Sequence, residues 1–293
     1  MRGAVYHRAA MPLLHLVVLA VLQGAAEALP VSPSGHAAVA RLWMAPSAAA
    51  GGLEAVLHLA TALALGIVAR RRLAAALGEG VRAVARPSLF LASPGARDAI
   101  VLVVATAASL ATVKVFTPRI EALQAEPSAI GLGLLAVGVG LASTRWARRG
   151  WPSLRPVKGG GPGDAPAFPL AMIAGVAHGL GIFPGASRVG AALTVLLWLG
   201  MSVGRAIDLA LLITVPSLLV AAAKGLALEG ALGGIDAGSV AVGLVVAFVA
   251  AVVAGGALRS LGERRRLPVL ALWIIPLGLA MLAYARALPT SGI

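Results

Sequence analysis

The stretch Leu29-Pro30-Val31-Ser32-Pro33-Ser34-Gly35-His36 is a short polar island in an otherwise apolar sequence, and Phe183-Pro184-Gly185-Ala186-Ser187-Arg188-Val189-Gly190 is a second one in the other half of the chain. Proline and glycine break helices, and Ser, His and Arg side chains are costly to place in hydrocarbon. Non-helical backbone at membrane depth is tolerated only where it is buried in protein or lines a wet cavity. The two islands therefore predict a functional site inside a membrane.

The composition around the islands is that of an integral membrane protein. Hydrophobic residues make up 59% of the chain, and charged residues make up 12%. A spanning helix needs about 20 mainly apolar residues. Six runs qualify or nearly qualify, namely 51–69, 99–116, 129–144, 207–223, 238–258 and 267–285. Because Ala and Gly are abundant and aromatic residues are few, we expect small residues to pack these helices closely in one all-α domain covering residues 1–293.

The N-terminal run 11–22, which follows Arg2, His7 and Arg8, has features of a signal peptide. We expect this run to be retained, because no small-residue cleavage signature separates it from the first polar island. The chain contains no Cys, so disulfides and thiolate metal sites are excluded.

The formal net charge of +13 suggests a nucleic-acid partner until the basic residues are mapped. They fall mainly in three connections, which contain Arg70, Arg71, Arg72, Arg82, Arg86 and Arg97; Arg145, Arg148, Arg149, Arg155 and Lys158; and Arg259, Arg264, Arg265 and Arg266. By the positive-inside rule these three connections are cytoplasmic. The charge is therefore attributed to membrane orientation and to contact with anionic lipids, and no nucleic-acid partner is expected.

This orientation makes the two halves of the chain opposite in direction. The segment 11–44 must begin and end outside, whereas 168–204 must begin and end inside, so each is predicted to be a re-entrant helix hairpin. Three spanning helices follow each hairpin. Residues 11–144 and 168–285 are thus predicted to form an inverted repeat of six transmembrane helices and two hairpins, joined by a cytoplasmic linker over about 145–167.

The second hairpin tip carries an arginine suited to a phosphate. Two hairpins that enter from opposite faces bring their tips together near the middle of the bilayer, where the N-termini of half-helices attract anions. The planar guanidinium of Arg188 matches phosphate oxygens, and Ser187 and Gly190 lie beside it. We therefore expect these three residues to contact an anionic substrate.

The first hairpin is expected to contribute groups for proton transfer and also substrate contacts, from Gln23, Ser32, Ser34 and Gly35. Ser32, Ser34 and His36 surround Gly35 in the polar island. Upstream, Gln23 and Glu27 share a helix face because they are four residues apart. A carboxylate, an imidazole, hydroxyls and a guanidinium are the groups needed to hold and cleave a phosphate ester.

Several of these side chains also have a structural interpretation. Ser32 and Ser34 are common helix caps, and at least one of them is expected to serve as a cap. His36 alone could be a structural histidine bonded to a carbonyl group, and Arg188 could extend to the membrane interface. Gln23 and Glu27 could form a polar stripe that faces external water.

Three further sets of polar residues lie outside the two islands. Glu54 and His58 share a helix face, as a packing pair or as support for the site. His178 is expected to make local hydrogen bonds, and Arg205 and Asp208 are interpreted as a local charge arrangement at a helix start.

The two islands resemble the signature segments of bacterial undecaprenyl-diphosphate phosphatases of the bacitracin-resistance type. The similarity rests on Gln23 to Glu27 followed by Leu-Pro-Val-Ser-Pro-Ser-Gly-His, on Pro-Gly-Ala-Ser-Arg-Val-Gly, and on Glu54-Ala-Val-Leu-His58-Leu. With the six-helix, two-hairpin plan, it extends over nearly the whole chain. It implies a multi-pass enzyme of the bacterial inner membrane that removes the terminal phosphate from a C55 polyprenyl diphosphate at the outer face, recycling the lipid carrier for cell-wall synthesis.

The resemblance also implies roles for individual residues. Glu27, His36 and Arg188 match the essential carboxylate, histidine and arginine of that family and are the expected catalytic residues. Gln23 stands where the family commonly has Glu, so one carboxylate that could hold a divalent cation is missing. Pro33 stands where the family commonly has a Ser proposed as nucleophile or phosphate ligand. Ser32 or Ser34 could replace that serine, His36 or a water could attack, or hydrolysis could be lost.

The expected mechanism uses Arg188 and Ser187 to clamp the diphosphate and His36 to transfer the proton or attack the phosphorus. Glu27 would orient His36 or bind a weakly held Mg²⁺ or Ca²⁺. The expected partners are the lipid diphosphate and membrane lipids, with a homodimer left open. A transporter of polyprenyl phosphate or another small anion is the alternative, because inverted repeats with broken helices are typical of transporters.

Overall fold

The fold was analysed in a computed structural model that describes residues 12–44, 50–147, 168–228, 232 and 235–288. These residues form helices and contain no β-strand. The helices are α1 Leu13–Ala28, α2 Pro33–Arg41, α3 Ala50–Val68, α4 Arg70–Ala85, α5 Leu89–Ala92, α6 Pro94–Leu123, α7 Pro127–Ser143, α8 Phe168–Leu180, α9 Arg188–Trp198, α10 Val203–Leu226, α11 Ala237–Glu263 and α12 Ala271–Ala287. Short 3-10 turns, Thr144–Trp146 and Leu267–Leu270, follow α7 and precede α12. Most of the linker predicted over 145–167, and Arg2, His7 and Arg8, lie outside the described residues.

The long apolar helices confirm the predicted all-α membrane protein. Within the described ranges, five are long and apolar enough to cross a membrane: α6, α7 with its 3-10 turn, α10, α11, and α12 with its 3-10 turn. The sixth predicted span corresponds to α3, which bends by 84° into α4 at a break of a single residue, Ala69. Each predicted apolar run therefore coincides with one of these helices.

The first basic connection is itself largely helical. The sequence pattern mixed arginines with alanines and was interpreted as a loop, but residues Arg70–Ala85 form α4. Ala76, Gly80 and Ala83 are buried on one face of this helix, and a Cβ atom on Gly80 would lie 2.6 Å from the Cβ of Ala99. Close packing of these small residues against α6 stabilises α4, although the other faces of this helix carry polar side chains.

The two polar islands separate pairs of short helices, as predicted. α1 and α2 contain 16 and 9 residues, and α8 and α9 contain 13 and 11. Each is shorter than the roughly 20 residues that a span requires. The members of each pair pack against each other, so both pairs are helix hairpins that do not cross the bundle.

Each hairpin packs against a long helix from the opposite half of the chain, as an inverted repeat requires. α1 of the first half packs along α11 of the second, and α8 of the second packs along α6 of the first. Gly24 of α1 approaches the carbonyl oxygen of Ala247, and Gly175 of α8 approaches that of Ala105, so closely that a Cβ atom would collide at either position. α3 packs against α10 and α7 against α12, which completes the symmetrical pairing.

An ion-pair network connects α4, α6, α10 and α11 at one end of the bundle. Arg72 of α4 lies 3.2 Å from Asp98 of α6 and 3.3 Å from Asp208 of α10. Asp208 also pairs with Arg259 of α11 at 2.7 Å, and buried Arg205 pairs with buried Asp98. The interpretation of Arg205 and Asp208 as a local arrangement was therefore wrong, because Arg205 binds a carboxylate from the other half. Since Arg72 and Arg259 meet here, the first and third basic connections lie at the same end.

Candidate active site

The two hairpin tips contact each other directly. The backbone N–H of Gly185 in the second tip donates to the hydroxyl oxygen of Ser34 in the first, at 3.1 Å. Gly185 has a φ of 74°, which an L side chain rarely adopts, and a Cβ atom there would collide with the carbonyl oxygen of Ile130 in α7. Glycine therefore allows the second tip to lie between α7 and the first hairpin.

A buried ion pair joins the same two hairpins. Arg188 is the first residue of α9, and its Nη2 and Nε atoms lie 2.9 and 3.1 Å from Oε1 of Glu27 in the last turn of α1. The Glu27 residue is 3% exposed, and such a buried charge is tolerated only when it is paired. The side-chain amide of Gln23 donates to the other carboxylate oxygen at 3.3 Å. Gln23 and Glu27 therefore lie on the same face of α1, as expected.

This pairing keeps part of the guanidinium free of Glu27. Arg188 has five N–H donors in a planar fork, and the two contacts with Glu27 use Nε and one N–H of Nη2. The donors of Nη1 point away from that carboxylate as the fork geometry requires. Arg188 can therefore remain paired with Glu27 and still donate to an anionic ligand.

Equivalent serine caps begin the second helix of each hairpin. The hydroxyl oxygen of Ser32 accepts from the N–H of Gly35 at 3.0 Å, and that of Ser187 accepts from Gly190 at 3.1 Å. Both serines are buried. The capping interpretation thus holds for Ser32, and the two glycine N–H groups are satisfied by these hydroxyls. In these contacts each hydroxyl acts as an acceptor, so its own proton is not used by the cap.

The backbone at Ser32 is strained. Ser32 has a φ of 73°, and within the described part of the chain only one other non-glycine residue, Arg265, has a positive φ. Such residues cost about 1–3 kcal/mol and cluster at functional sites. Pro33 follows as the first residue of α2, a position that proline favours. Pro33 therefore has a structural role at the place where a serine was expected from the resemblance.

Both ring nitrogens of His36 are engaged. Nδ1 lies 2.8 Å from the carbonyl oxygen of Ser32, and the indole N–H of Trp273 donates to Nε2 at 2.8 Å. Glu27, which was expected to orient His36, is bound instead by Arg188 and Gln23. Trp273 was missed by sequence reasoning, because it belongs to no motif and lies 237 residues from His36.

The remaining histidines differ in their relation to the site. Glu54 of α3 is exposed, and His58, one turn further along the same helix, is partly buried. His178 is fully buried, and its Nδ1 and Nε2 contact the hydroxyls of Ser109 at 2.8 Å and Thr214 at 3.0 Å. Its partners are not local as expected, since they lie on α6 and α10, and they make His178 a link between three helices.

The donor groups at the junction do not fit a resident metal ion. In the part of the chain that the structure describes, no three His, Cys, Asp or Glu side chains are grouped to share one. Glu27 is the carboxylate of the ion pair, and both of its oxygens already accept hydrogen bonds. Mg²⁺ prefers several oxygen ligands and often takes them from substrate phosphates, so the protein alone supplies too few.

Named proteins resemble the chain over most of its length. The family described as bacitracin resistance protein BacA matches residues 16–280, a range that contains both hairpin tips and Trp273. An undecaprenyl-diphosphatase of Korarchaeum cryptofilum is 27% identical, over 93% of this chain and 99% of that protein. Undecaprenyl-diphosphatase 1 of Rhodospirillum rubrum is 29% identical, over 94% of this chain and 96% of that protein. An undecaprenyl-diphosphatase of Anaeromyxobacter sp. is 33% identical, over 71% of this chain and 66% of that protein.

Proposed function

The chain belongs to the bacitracin resistance protein BacA family, and from this we propose that it hydrolyses undecaprenyl diphosphate to the monophosphate and inorganic phosphate. This reaction recycles the lipid carrier for cell-wall synthesis. The observation that carries the proposal is the contact between the hairpin tips, which combines the Arg188–Glu27 pair with the polar groups of the first island. The relatives are named as diphosphatases, so the transporter considered from the sequence is not favoured.

Substrate binding is assigned to the second tip. The donors of Arg188 that do not contact Glu27 would bind the terminal phosphate, and the Ser187 hydroxyl proton would add a further donor. A guanidinium held in place by a buried carboxylate needs little rearrangement when charge develops on the phosphate oxygens. Binding and transition-state stabilisation are thus proposed to use the same fixed groups.

The proton transfer is assigned to His36. Pro33 supplies no hydroxyl, so we propose that a water attacks the terminal phosphorus while Nε2 of His36 accepts a proton from that water. The bond from this phosphorus to the bridging oxygen breaks, and the lipid monophosphate departs with the electron pair of that bond. Phosphoryl transfer depends mainly on positioning and charge stabilisation, which fits a site with few reactive side chains.

A divalent cation is proposed to arrive with the substrate. Mg²⁺ or Ca²⁺ bound to the diphosphate would neutralise part of its charge and take most of its oxygen ligands from the phosphates. Glu27 would add one further ligand only by exchanging its hydrogen bond with Gln23. Such a cation would be weakly held in the absence of the lipid, because the protein contributes so few ligands. Activity should therefore fall with a chelator and return with added Mg²⁺.

The site is proposed to open to the outer side of the bacterial inner membrane. The ion-pair network supports this orientation, because it places basic residues of two connections at one end of the bundle, and such an end faces the cytoplasm. The chain then starts α1 at the opposite end. The isoprenoid tail would lie in the lipid between helices, where the surface of the bundle is apolar.

The test is phosphate release from a polyprenyl diphosphate by the purified protein in detergent with Mg²⁺. Arg188→Ala and His36→Ala are each expected to lower release at least about 100-fold, the lower limit for loss of an acid–base group or an oxyanion donor. Arg119→Ala is the matched control, because Arg119 is an exposed arginine of α6 and lies outside both hairpins. Near wild-type release by the first two variants would exclude this active site.

A further inference from the structure

The contact between Trp273 and His36 connects helices that are far apart in the sequence. Trp273 lies in the first turn of α12, and its indole Nε1 is 2.8 Å from Nε2 of His36 in α2. The two rings are inclined by 20°, with centroids 6.3 Å apart. The indole N–H of Trp273 therefore donates to the Nε2 atom of the imidazole.

The two contacts of the imidazole define one tautomer. A carbonyl oxygen only accepts hydrogen bonds, so the short contact with Ser32 requires the proton on Nδ1. An indole N–H only donates, so the contact with Trp273 requires a lone pair on Nε2. A proton on Nε2 would oppose the indole N–H directly.

We propose that Trp273 is a positioning residue for His36, holding the imidazole in the tautomer whose Nε2 can accept a proton and covering that nitrogen until the substrate arrives. This inference rests on the proposed function, in which Nε2 accepts the proton of the attacking water. The indole must move away from Nε2 when the lipid diphosphate binds. Trp273 is 62% exposed, so the surrounding core does not prevent that movement.

An exposed tryptophan in a membrane protein is often only an interfacial anchor, and the experiment must separate the two roles. Trp273→Phe keeps an aromatic ring but loses the N–H, whereas Trp273→Gln keeps an N–H donor at a similar distance but loses the ring. Trp198→Phe is the matched control: its indole donates to Ser143 at 2.9 Å, away from His36. An anchor depends on the ring, and the proposed role depends on the N–H.

The direct readout is the ¹⁵N resonance of the His36 ring nitrogens in protein labelled at histidine, assigned by its loss in His36→Ala. We expect Trp273→Phe to shift the Nε2 resonance, Trp273→Gln to restore it at least in part, and Trp198→Phe to leave it unchanged. In phosphate release, the lipid diphosphate no longer has to displace the indole N–H in Trp273→Phe, so kcat/KM should rise by up to about tenfold, the value of one hydrogen bond, with kcat changed less. Trp273→Gln keeps an N–H donor that the lipid must displace, so its kcat/KM should stay close to the wild-type value.

Two results separate the failures. An unchanged His36 spectrum in Trp273→Phe, or equal changes of kcat/KM in Trp273→Phe and Trp273→Gln, would overturn the role of Trp273. A fully active His36→Ala would overturn the catalytic role of His36 and the proposed mechanism with it, whatever the nitrogen spectrum shows.

Discussion

The guanidinium of Arg188 and the carboxylate of Glu27, 161 residues apart in the chain, form a buried ion pair across the junction of the two hairpins, with Nη2 2.9 Å from Oε1. The pair is electrically neutral, so a bound diphosphate adds uncompensated negative charge beside it. Part of that charge must be balanced by the remaining donors of Arg188, by the capped helix starts, or by a cation that accompanies the lipid.

Stability and activity should respond differently to changes in this pair. Arg188→Ala leaves the Glu27 carboxylate buried and unpaired, which is expected to cost about 3–5 kcal/mol of unfolding free energy. The double variant Arg188→Met with Glu27→Leu removes both charges and should recover most of that stability, yet it should remain inactive. Thermal unfolding in detergent and phosphate release together check this. A double variant as unstable as Arg188→Ala would mean that the loss is one of packing.

Pro33→Ser should raise the rate of hydrolysis. A serine at the start of α2 places a hydroxyl next to the groups of the first tip, and a positioned nucleophile reacts faster than a free water. We expect an increase of about tenfold or more in kcat. Pro33→Ala is the control, because it removes the same ring and adds no hydroxyl. Equal rates for the two variants would show that the hydroxyl is not used.

Ser34→Ala should loosen the contact between the hairpin tips. The variant leaves the N–H of Gly185 without its acceptor, which is expected to cost about 1–3 kcal/mol if that group stays buried. Ser34→Thr preserves the hydroxyl and should retain more stability. The measurements are thermal unfolding and the hydrogen exchange of the Gly185 amide. Faster exchange in Ser34→Ala than in Ser34→Thr supports the contact, and equal exchange contradicts it.

Gly185→Ala is expected to be strongly destabilising. The backbone there has a φ of 74°, which costs an L residue about 1–2 kcal/mol, and the added methyl would collide with Ile130. Gly256→Ala in α11 is the comparison, because nothing lies within 4 Å of a Cβ atom at that position. It should be neutral or stabilising by up to about 1 kcal/mol. Similar unfolding temperatures for the two variants would contradict the described placement of the second tip.

The helices and the meeting of the two polar islands could be predicted from the sequence, whereas the partners of individual side chains could not. Apolar runs predicted α6, α10 and α11, because a helix that crosses the membrane must be mainly apolar along its length. α4 was mistaken for a loop because hydropathy does not detect a helix with Arg70, Arg71 and Arg72 in its first turn.

The partners depend on the relative depth of elements that are distant in sequence. The pattern placed Glu27 and Arg188 at the two hairpins, but only their depth and rotation make them neighbours. The same holds for Asp98 and Arg205. Trp273 has no neighbouring motif, so its contact with His36 requires the packing of α12 against the bundle.

The matched serine caps show that one structural device occurs twice and has diverged in use. Ser32 and Ser187 each accept a hydrogen bond from the N–H of the glycine three residues later, Gly35 and Gly190, although only Ser32 has a positive φ. The residue that follows each cap differs: proline in the first copy and arginine in the second. The position after the cap therefore differs in charge and in hydrogen-bonding capacity between the two hairpins. In the proposed function, the hairpin with Arg188 would bind the anion and the hairpin with His36 would transfer the proton.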